Sequence, residues 1–371
     1  MTMHHDTRIG LDGVAAAATV LSHVDGERGE LVIAGERVAD LAGTVRFERL
    51  AGRLWALARG ASPQEAIASA AGAERRIGEA RRRAFARLGG ALELARGLEP
   101  VVAMRAVVAA LVPEDGTGDG LDDAVTLTGG FGVAAAALLR RALGGEPVAP
   151  DPELPHAADL LRMIRGAAPD KAEADALDAY LVTAIDHGMN ASTFAGRVVA
   201  STGADLFMAA TAAYCALSGP LHGGAPGPVL DMLDAIGTSE RIGPWIDAAL
   251  ARGERLMGFG HRIYKVRDPR ADVLRAAVSR LGGHGVDLGF AAAVETAARA
   301  TLARTKAGRA LDTNVEFYTA ILLDALKIPR DGFTPVFAAA RIAGWTAHAI
   351  EQRRTGRLLR PGSVYLGAMP A

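Results

Sequence analysis

The chain has 371 residues, 50% of them hydrophobic, and a formal net charge of −1 at pH 7. This length allows two domains or one large one, with enough apolar material for a sizeable core. A chain so close to neutral has no broad basic surface for nucleic acid or anionic lipid, so any preference for anions must come from a few grouped arginines. These numbers exclude binding through general surface charge and favour a localised site.

The cysteine count and the N-terminus bear on the cellular compartment. The single cysteine, Cys215, cannot form an internal disulfide. The starting sequence MTMHHDTRIG lacks the charged and apolar regions of a secretory signal. The longest apolar runs, such as 133–139, fall well short of the roughly 20 residues needed to cross a bilayer. We therefore expect a cytoplasmic protein with no membrane segment.

The first predicted element is a small β-hairpin near the N-terminus. The stretch ELVIAGERV (30–38) places a glycine between two short β-prone runs, and it follows the turn-like DGERGE. Most of the remaining chain has apolar residues at helical spacing, as in 158–166, 176–186, 229–237 and 317–328. The pattern predicts an all-α fold with one minor hairpin.

Helix start and stop signals support this prediction. The tetrapeptides SPQE at 62–65 and DKAE at 170–173 both have the capping-box pattern, and the first also has proline at the first helical position. Gly166, Gly237 and Gly253 follow apolar helical segments, as glycines at helix C-termini do.

Two further helical segments are predicted to be structural. ERRIGEARRRAFAR (74–87) is rich in arginine, but its glutamates recur at helical spacing, which favours a solvated helix face over an anion site. GADLFMAATAAYCALS (203–218) is rich in small residues and predicts a buried core or interface helix. Within it, Cys215 is interpreted as a small core residue rather than a nucleophile.

Three of the nine histidines lie in glycine-containing segments typical of loops or helix starts: DHGMNAS with His187, GPLHGGAPG with His222 and GFGHRIYK with His261. Glycine allows close approach of the backbone to a ligand, and histidine donates or accepts a proton near neutral pH. None of the three has a second His, Cys or carboxylate at the spacing of zinc-binding helices. The chain also lacks the G-x-S-x-G, G-x-G-x-x-G and Walker patterns. A polar site without a metal ion or a serine nucleophile is predicted.

Basic side chains cluster after the third histidine segment and recur near the C-terminus. They are Arg262, Lys265, Arg267, Arg270, Arg341 and Arg360. A planar guanidinium binds carboxylates and phosphates through paired hydrogen bonds, so the group indicates a substrate with more than one carboxylate. Glu316 begins the apolar segment NVEFYTA, and burial there would raise its pKa toward that of a useful base. The alternative for Glu316 is a first-turn carboxylate favoured by the helix dipole.

Three of these segments, GPLHGGA, GFGHRIYKVRDPR and NVEFYTA, resemble in this order the catalytic segments of citrate synthases. The resemblance continues in DGERGELVIAG, EPVAPDPELPHAADLLRMIRG, DHGMNASTFAGRV, ARIAGWTAHAIEQ and LLRPGSVYLG, and covers about residues 8–368. It implies an all-α, citrate synthase-like two-domain fold that forms a homodimer. A small domain at 223–326 would close over the substrates bound to a large domain at 1–222 and 327–371.

The resemblance also implies a role for each candidate residue. Glu316 would take a proton from the methyl group of acetyl-CoA, a neutral His222 would stabilise the enolate, and His261 would polarise and protonate the oxaloacetate ketone. Hydrolysis of the citryl thioester would then release CoA. The helix after His222 is expected to lower the pKa of this histidine through its dipole.

Two sets of residues are implied to bind the substrates. Those for oxaloacetate are His187, His261, Arg270, Arg341 and Arg360 of the partner subunit. Those for CoA are Gly258, Phe259, Gly260, Arg262 and Lys265. No cofactor other than the acyl-CoA substrate, and no metal ion, is implied.

Two positions depart from the family pattern. Glu316 replaces the usual aspartate and is one methylene longer, and Pro226-Gly227 replaces the common Asn-Glu after the first catalytic histidine. Three alternatives to a citrate synthase therefore stay open: a 2-methylcitrate synthase using propionyl-CoA, a weakly active or non-enzymatic paralogue that binds CoA or oxaloacetate, and a lyase acting on citryl-CoA. One methylene in an apolar pocket changes binding by only about 1–3 kcal/mol, so the sequence does not separate acetyl-CoA from propionyl-CoA.

Overall fold

The computed structural model describes residues 11, 13–113, 120–223, 226–282, 287–306 and 311–370, and residues 1–10 of the predicted large domain lie outside this part. The described residues form one small sheet and seventeen α-helices. The strands are β1 (Ser22–Asp25), β2 (Glu30–Ile33) and β3 (Glu36–Arg37). The helices are α1 (Val38–Leu41), α2 (Phe47–Ala58), α3 (Pro63–Ser69), α4 (Ala73–Arg87), α5 (Gly89–Leu94), α6 (Pro100–Ala109), α7 (Leu121–Ala142), α8 (His156–Arg165), α9 (Lys171–Ala184), α10 (Ala191–Ser201), α11 (Leu206–Leu217), α12 (Pro226–Ile236), α13 (Ile242–Ala251), α14 (Pro269–Leu281), α15 (Leu288–Thr305), α16 (Val315–Ala325) and α17 (Phe333–Thr355).

The N-terminal sheet contains the predicted hairpin and one further strand. The hairpin is β2 paired antiparallel with β3, which confirms the prediction. The strand β1 was not predicted; it pairs antiparallel with β2 across the DGERGE turn, with Asp25 opposite Glu30. Asp25 Oδ1 accepts hydrogen bonds from the backbone N–H groups of Glu27 and Arg28, at 3.0 and 2.9 Å, and so orders the turn. A short run such as SHVD carries little β-signal of its own.

The predicted helix boundaries are confirmed. Ser62 begins α3 and Asp170 begins α9, each with a reciprocal capping box to a glutamate three residues later. The helix α8 ends at Gly166, which has a φ of 72°, a left-handed conformation that glycine adopts without steric cost. These local signals determine where helices begin and end, whereas the packing of the helices decides what each one buries.

The core is built around the longest helix, α17. Its residues from Phe333 to Gln352 are buried with few exceptions, because it packs against α2, α7, α9, α10 and α11. A helix buried on all sides carries apolar and small residues around its whole circumference. Arg341 and His348 are therefore exceptional in α17, since each brings an ionisable group into a nearly solvent-free environment.

One core helix also passes a test for membrane spans. The helix α7 is long and apolar enough to cross a bilayer by length and composition. However, 83% of its apolar window is buried inside the protein, where α7 packs against α4, α17 and α8. The apolar composition of α7 is therefore explained by its position in the core.

The prediction for the arginine-rich helix α4 is wrong at one position. Most of its arginines are partly or fully exposed, as expected, but Arg81 is completely buried. Its Nε donates to Asp159 Oδ2 at 2.8 Å, and its Nη2 donates to the carbonyl oxygens of Asp151 and Leu154. The partners lie 70 or more positions away in sequence, so helical spacing within α4 does not indicate them.

The prediction for Cys215 is also wrong. It lies on α11, as expected for a helix rich in small residues, but its side chain is exposed in the single chain. The buried face of α11 is formed instead by residues such as Phe207, Ala210 and Tyr214.

The ion pair of Arg81 with Asp159 makes a testable contribution to stability. We expect Arg81→Met to lower the free energy of unfolding by about 3 kcal/mol, because it leaves a buried carboxylate with fewer partners. This value lies at the lower end of the range for broken buried ion pairs, because Arg162 also contacts Asp159 at 2.7 Å. The matched control is Arg82→Met on the same helix, whose ion pair with Glu79 is exposed and should contribute less than about 1 kcal/mol. Urea denaturation of both variants measures the difference; equal effects would contradict the structural role of the buried pair.

Candidate active site

The predicted site residues come from separate elements; Arg270, Glu316 and Arg341 line one small cavity, whereas His187 and His261 do not. His187 follows α9, His261 precedes α14, Arg270 and Glu316 lie in the first turns of α14 and α16, and Arg341 lies in the middle of α17. The residues lining the cavity are Tyr180, Thr183, Ala184, Arg270, Val315, Glu316, Thr319, Phe337 and Arg341. The cavity volume is about 10 Å³, roughly the space of a single water molecule.

Asp268 ties two of these elements together. It is the N-cap of α14, where Oδ1 accepts from the backbone N–H of Arg270 at 3.0 Å. Its carboxylate also accepts from the Arg270 guanidinium, at 3.0 Å to Nε and 2.8 Å to Nη2. A further hydrogen bond of 3.1 Å comes from the backbone N–H of Val315, the first residue of α16. One buried carboxylate thus balances the charge of Arg270 and orients the helix that carries Glu316.

His187 and His261 meet through Tyr264. The two imidazole centroids lie 5.7 Å apart, and the Tyr264 hydroxyl is 3.1 Å from His187 Nε2. His261 Nδ1 accepts from the backbone N–H groups of Ile263 and Tyr264, at 3.0 and 3.1 Å. These two donors place the proton of the neutral ring on Nε2, which lies 3.4 Å from Nη2 of Arg270.

The pKa of both histidines is lowered. Burial is the largest cause for each, and the positive charge of Arg270 acts in the same direction. The pKa of His261 falls to about 4. At neutral pH both rings are therefore neutral. A neutral imidazole can donate a hydrogen bond to a ketone oxygen without carrying a permanent charge.

His222 is held by a relay of side chains. Its Nε2 lies 2.9 Å from the Ser192 hydroxyl, which also accepts a hydrogen bond from the indole N–H of Trp345 at 3.1 Å. The Ser192 hydroxyl donates to Asn190 Oδ1 at 2.7 Å, an oxygen that also accepts from the backbone N–H groups that cap α10. These contacts fix the orientation of the His222 ring.

The pKa of His222 is lowered to about 4, as predicted in direction but for a different main reason. Burial is the largest cause, and the charge of Arg341 adds to it. The helix α12 begins at Pro226, and residues 224–225 lie outside the described part of the chain. Burial, rather than the helix dipole expected from the sequence, is thus the main cause of the neutral imidazole.

Burial raises the pKa of Glu316 to about 7, which confirms the expected direction. Arg270 and Arg341 oppose this rise through their positive charges, and Asp268 adds to it. The N-cap of α16, Asn314, accepts from the backbone N–H of Glu316 at 3.0 Å and so fixes the first turn of the helix. A carboxylate with this pKa is half deprotonated near neutral pH, and this suits it to act as a general base.

Arg341 provides a second buried cation beside Glu316. Its side chain is 1% exposed, its Nε donates to the carbonyl oxygen of Ala184 at 2.5 Å, and its guanidinium lies 4.7 Å from the ring centroid of Phe337. Burial lowers the pKa of Arg341 to about 10, although Asp186 acts in the opposite direction. A cavity lined by two buried arginines favours an anionic ligand.

Asp312 lies near Glu316 in sequence but is committed to ion pairs. Its carboxylate is 2.8 Å from Arg299 and 3.5 Å from Arg267, and it accepts from the backbone N–H of Thr313 at 2.7 Å. Glu316 is the better candidate because it lines the cavity and Asp312 does not.

The residues implied to bind CoA form a short loop segment, with an isolated β-bridge between Phe259 and Thr313, and an exposed pair of cations. Gly258 and Gly260 have φ values of 85° and 83°, and a Cβ atom on either would come within 3 Å of Phe317 or Leu311. Packing against the start of α16 therefore requires these glycines. Arg262 and Lys265 are exposed, as groups that bind phosphates at the mouth of a site would be.

Arg360 does not join this site within one chain. It is exposed in the irregular segment after α17 and is not among the residues that line the cavity.

Ser192, Tyr264 and Asp268 are among the polar residues that contact the predicted site residues but were not singled out from the sequence. Each lies inside a segment that was recognised. For Asp268 a signal was present, because Asp followed by Pro is typical of a helix N-cap and first helical residue. Ser192 and Tyr264 have no local signal, since their importance depends on contacts with residues 30 and 77 positions away.

Comparisons with known proteins identify the family of the chain. The family model of the citrate synthase C-terminal domain matches residues 10–362. The citrate synthase of Haloferax volcanii is 36% identical, with 98% of this chain and 97% of that protein covered. A protein of Mycobacterium tuberculosis described as putative citrate synthase 2 is 50% identical, but the match spans only 54% of each chain.

A solved structure has the same fold. The citrate synthase of Thermoplasma acidophilum, in a ternary complex with carboxymethyl coenzyme A and oxaloacetate, superposes with a TM-score of 0.85 at 27% identity over 97% of both chains. The family model and the Haloferax relative each cover nearly the whole chain, and together they establish that the chain belongs to the citrate synthase family.

Proposed function

We propose that the protein catalyses the condensation of acetyl-CoA with oxaloacetate and water to give citrate and CoA. The observation that carries this proposal is the placement of Glu316, a carboxylate with a pKa of about 7, in one cavity with Arg270 and Arg341. A base beside two cations is suited to remove a proton from one substrate while the other, dianionic substrate is bound next to it.

Oxaloacetate binds through its two carboxylates and its ketone. Arg270 and Arg341 hold carboxylate oxygens, with His187 as a further donor, and Arg360 of the partner subunit completes the site. His261 Nε2–H donates to the ketone oxygen, because its Nδ1 is occupied by two backbone N–H groups. The ketone carbon thereby becomes more electrophilic.

The carbon–carbon bond forms through an enolate. Glu316 removes a proton from the methyl group of acetyl-CoA, and His222 donates a hydrogen bond to the thioester oxygen as negative charge develops there. The methylene carbon attacks the ketone carbon, and His261 supplies the proton to the resulting alkoxide. Water then cleaves the thioester, with CoA leaving as the thiol.

The acyl-CoA substrate is bound by the small domain at 223–326, where Arg262 and Lys265 meet the phosphates and the backbone of Gly258, Phe259 and Gly260 meets the adenine. The bound CoA analogue and oxaloacetate named for the Thermoplasma structure support this choice of ligands. The proposal includes no cofactor other than the acyl-CoA and no metal ion. We also propose a homodimer that acts in the cytoplasm, in line with a single, unpaired cysteine.

The test is release of free thiol by the purified protein. The protein is mixed with oxaloacetate and either acetyl-CoA or propionyl-CoA, and each substrate is also omitted in turn. Thiol release that needs both oxaloacetate and acetyl-CoA supports the proposal. Release with propionyl-CoA alone would replace it by a 2-methylcitrate synthase, and no release with either acyl-CoA would favour a non-enzymatic paralogue.

The pH dependence follows from the titration of Glu316. Because the base must be deprotonated, kcat/KM is expected to rise about tenfold per pH unit below 7 and to level off above it. His222 and His261, with pKa values of about 4, stay neutral across this range and add no second limb between pH 5 and 8. A profile that is flat from pH 5 to 8 would contradict the assignment of Glu316.

The partner contribution of Arg360 is tested with mixed dimers. Arg360→Ala and Glu316→Gln should each be nearly inactive alone. If each site takes Glu316 from one subunit and Arg360 from the other, a mixed dimer keeps one intact site, and a random equal mixture regains about a quarter of wild-type activity. No recovery in dimers shown to be mixed would indicate that Arg360 acts within its own subunit.

A further inference from the structure

The strand β1 brackets the segment that contains His187. The Ser22 hydroxyl donates to the carboxylate of Asp186, and it accepts from the backbone N–H of Gly188 at 3.1 Å. The residues before and after His187 are thus joined to one hydroxyl. Asp186 is held from the other side by His348, whose Nε2 lies 3.2 Å from Oδ1. His187 is therefore fixed between the N-terminal sheet and α17.

The turn after β1 packs directly on the segment that follows His261. The backbone N–H of Lys265 donates to the carbonyl oxygen of Gly26 at 2.8 Å. A Cβ atom on Gly26 would lie 2.9 Å from the carbonyl carbon of Ile263 and closer still to its oxygen. A Cβ atom on Gly29 would lie 2.8 Å from Cγ2 of Val266. Backbone meets backbone here with no room for a side chain at position 26.

This contact joins two parts of the chain that must separate during the reaction. The cavity of about 10 Å³ is far too small for oxaloacetate, whose nine heavy atoms need many times the space of one water molecule. Arg270, Arg341 and His187 are each 6% exposed or less. A substrate can reach these side chains only if the surrounding elements move apart. The turn lies in the proposed large domain, and the segment after His261 lies in the proposed small domain.

We propose that the turn of residues 26–29 is a latch for the segment 263–266. While the site is closed, the latch holds this segment, and with it His261, against the His187 segment. Each time the site opens, the latch releases the segment. The inference rests on the proposed function, because His187 and His261 are taken as ligands of oxaloacetate. Ser22, Gly26 and Gly29 are positioning residues, since they act through the histidine segments and do not touch the substrate.

Gly26 offers a clean test because its φ is not in the left-handed region. Alanine at this position is therefore not strained by its own backbone, and its cost arises from the contact with Ile263. The added Cβ would be about an ångström short of ordinary van der Waals separation, so the latch cannot close fully. A displacement of this size near reacting groups lowers rates by about a hundredfold.

Gly35 provides the matched control in the same sheet. It lies in the turn between β2 and β3, has a φ of 86°, and has nothing within 4 Å of its Cβ position. Gly35→Ala strains the sheet without touching the latch. We expect Gly26→Ala to lower kcat/KM for oxaloacetate by at least about tenfold, with a matching rise in the dissociation constant of oxaloacetate. Gly35→Ala should stay within about twofold of wild type in both, even where it lowers Tm more.

A cross-link tests the release of the latch directly, and it decides the matter if Gly26→Ala does not fold. In a Cys215→Ser background, Gly29→Cys and Val266→Cys place two cysteine Cβ atoms within the roughly 4.5 Å of each other that a disulfide requires. Oxidation should lower turnover at least about tenfold, and a reductant should restore it, whereas each single-cysteine variant should be insensitive. Turnover is followed by the ultraviolet absorbance of the thioester, which a reductant does not disturb.

The two proposals fail in different ways. If the wild-type protein does not condense acetyl-CoA with oxaloacetate, the proposed function is wrong. If the wild type is active but Gly26→Ala behaves like Gly35→Ala, or if the verified cross-linked protein turns over as fast as its reduced form, the latch is wrong and the proposed function stands.

Discussion

Replacing Glu316 by glutamine is expected to lower kcat by about a thousandfold, within the range for loss of a general base. Glutamine keeps the size and shape of the side chain but cannot accept the proton from the methyl group of acetyl-CoA. Because the charge of Glu316 opposes binding of an anion beside Arg270 and Arg341, the dissociation constant of oxaloacetate should stay the same or fall. Steady-state kinetics and calorimetry with oxaloacetate measure the two effects separately.

Two control variants sharpen this prediction. Glu316→Asp shortens the side chain by one methylene and introduces the residue usual in the family. We expect this variant to have the same activity as the wild type or a higher one. Asp312→Asn removes the other nearby carboxylate, which is held by Arg299 and Arg267, and should retain turnover. A fully active Glu316→Gln variant, or an inactive Asp312→Asn variant that is folded, would show that the base lies elsewhere.

Replacing Arg341 by methionine is expected to weaken oxaloacetate binding by about a hundredfold, equivalent to losing about 3 kcal/mol of charge-assisted hydrogen bonding. The positive charge of Arg341 also lowers the pKa of Glu316. Without it that pKa rises, so the acidic limb of the kcat/KM profile should move above pH 7. Binding calorimetry and a pH series of initial rates detect the two changes independently.

The stability of the same variant separates binding from folding. Arg341 is buried, its Nε donates to the carbonyl oxygen of Ala184, and burial lowers its pKa, so methionine should leave the free energy of unfolding unchanged or higher. Arg354→Met is the matched control on α17, since Arg354 donates to the carbonyl oxygen of Ala58 and does not line the cavity. Equal loss of oxaloacetate affinity in both variants would contradict a specific role for Arg341.

Local sequence signals predicted the helix boundaries well. The capping boxes at Ser62 and Asp170 and the glycine stop at Gly166 depend on hydrogen bonds and φ values within a few residues, so the sequence itself contains the relevant information. The strand β1 was missed because its stability comes from pairing with β2 across a turn. Burial of Arg81 and exposure of Cys215 were missed because both depend on which helices pack together.

The candidate site was predictable in its residues but not in its connections. The segments around His222, His261 and Glu316 were recognised by their likeness to a family, and the direction of the Glu316 pKa shift follows from burial of a carboxylate. The joint role of Asp268, which contacts Arg270 and the first residue of α16, requires the two helices to meet. The bracketing of His187 by Ser22 likewise spans 164 positions. Such long-range contacts have no periodic or motif signal in one sequence.

The most direct measurement follows a carbon label from the methyl group of acetyl-CoA. The purified protein is incubated with oxaloacetate and acetyl-CoA labelled at the methyl carbon, and the products are identified by mass spectrometry. We expect the label to appear in citrate in an amount equal to the thiol released, and Glu316→Gln to form almost none. Thiol release with the label found in acetate would show hydrolysis without carbon–carbon bond formation and would contradict the proposed condensation.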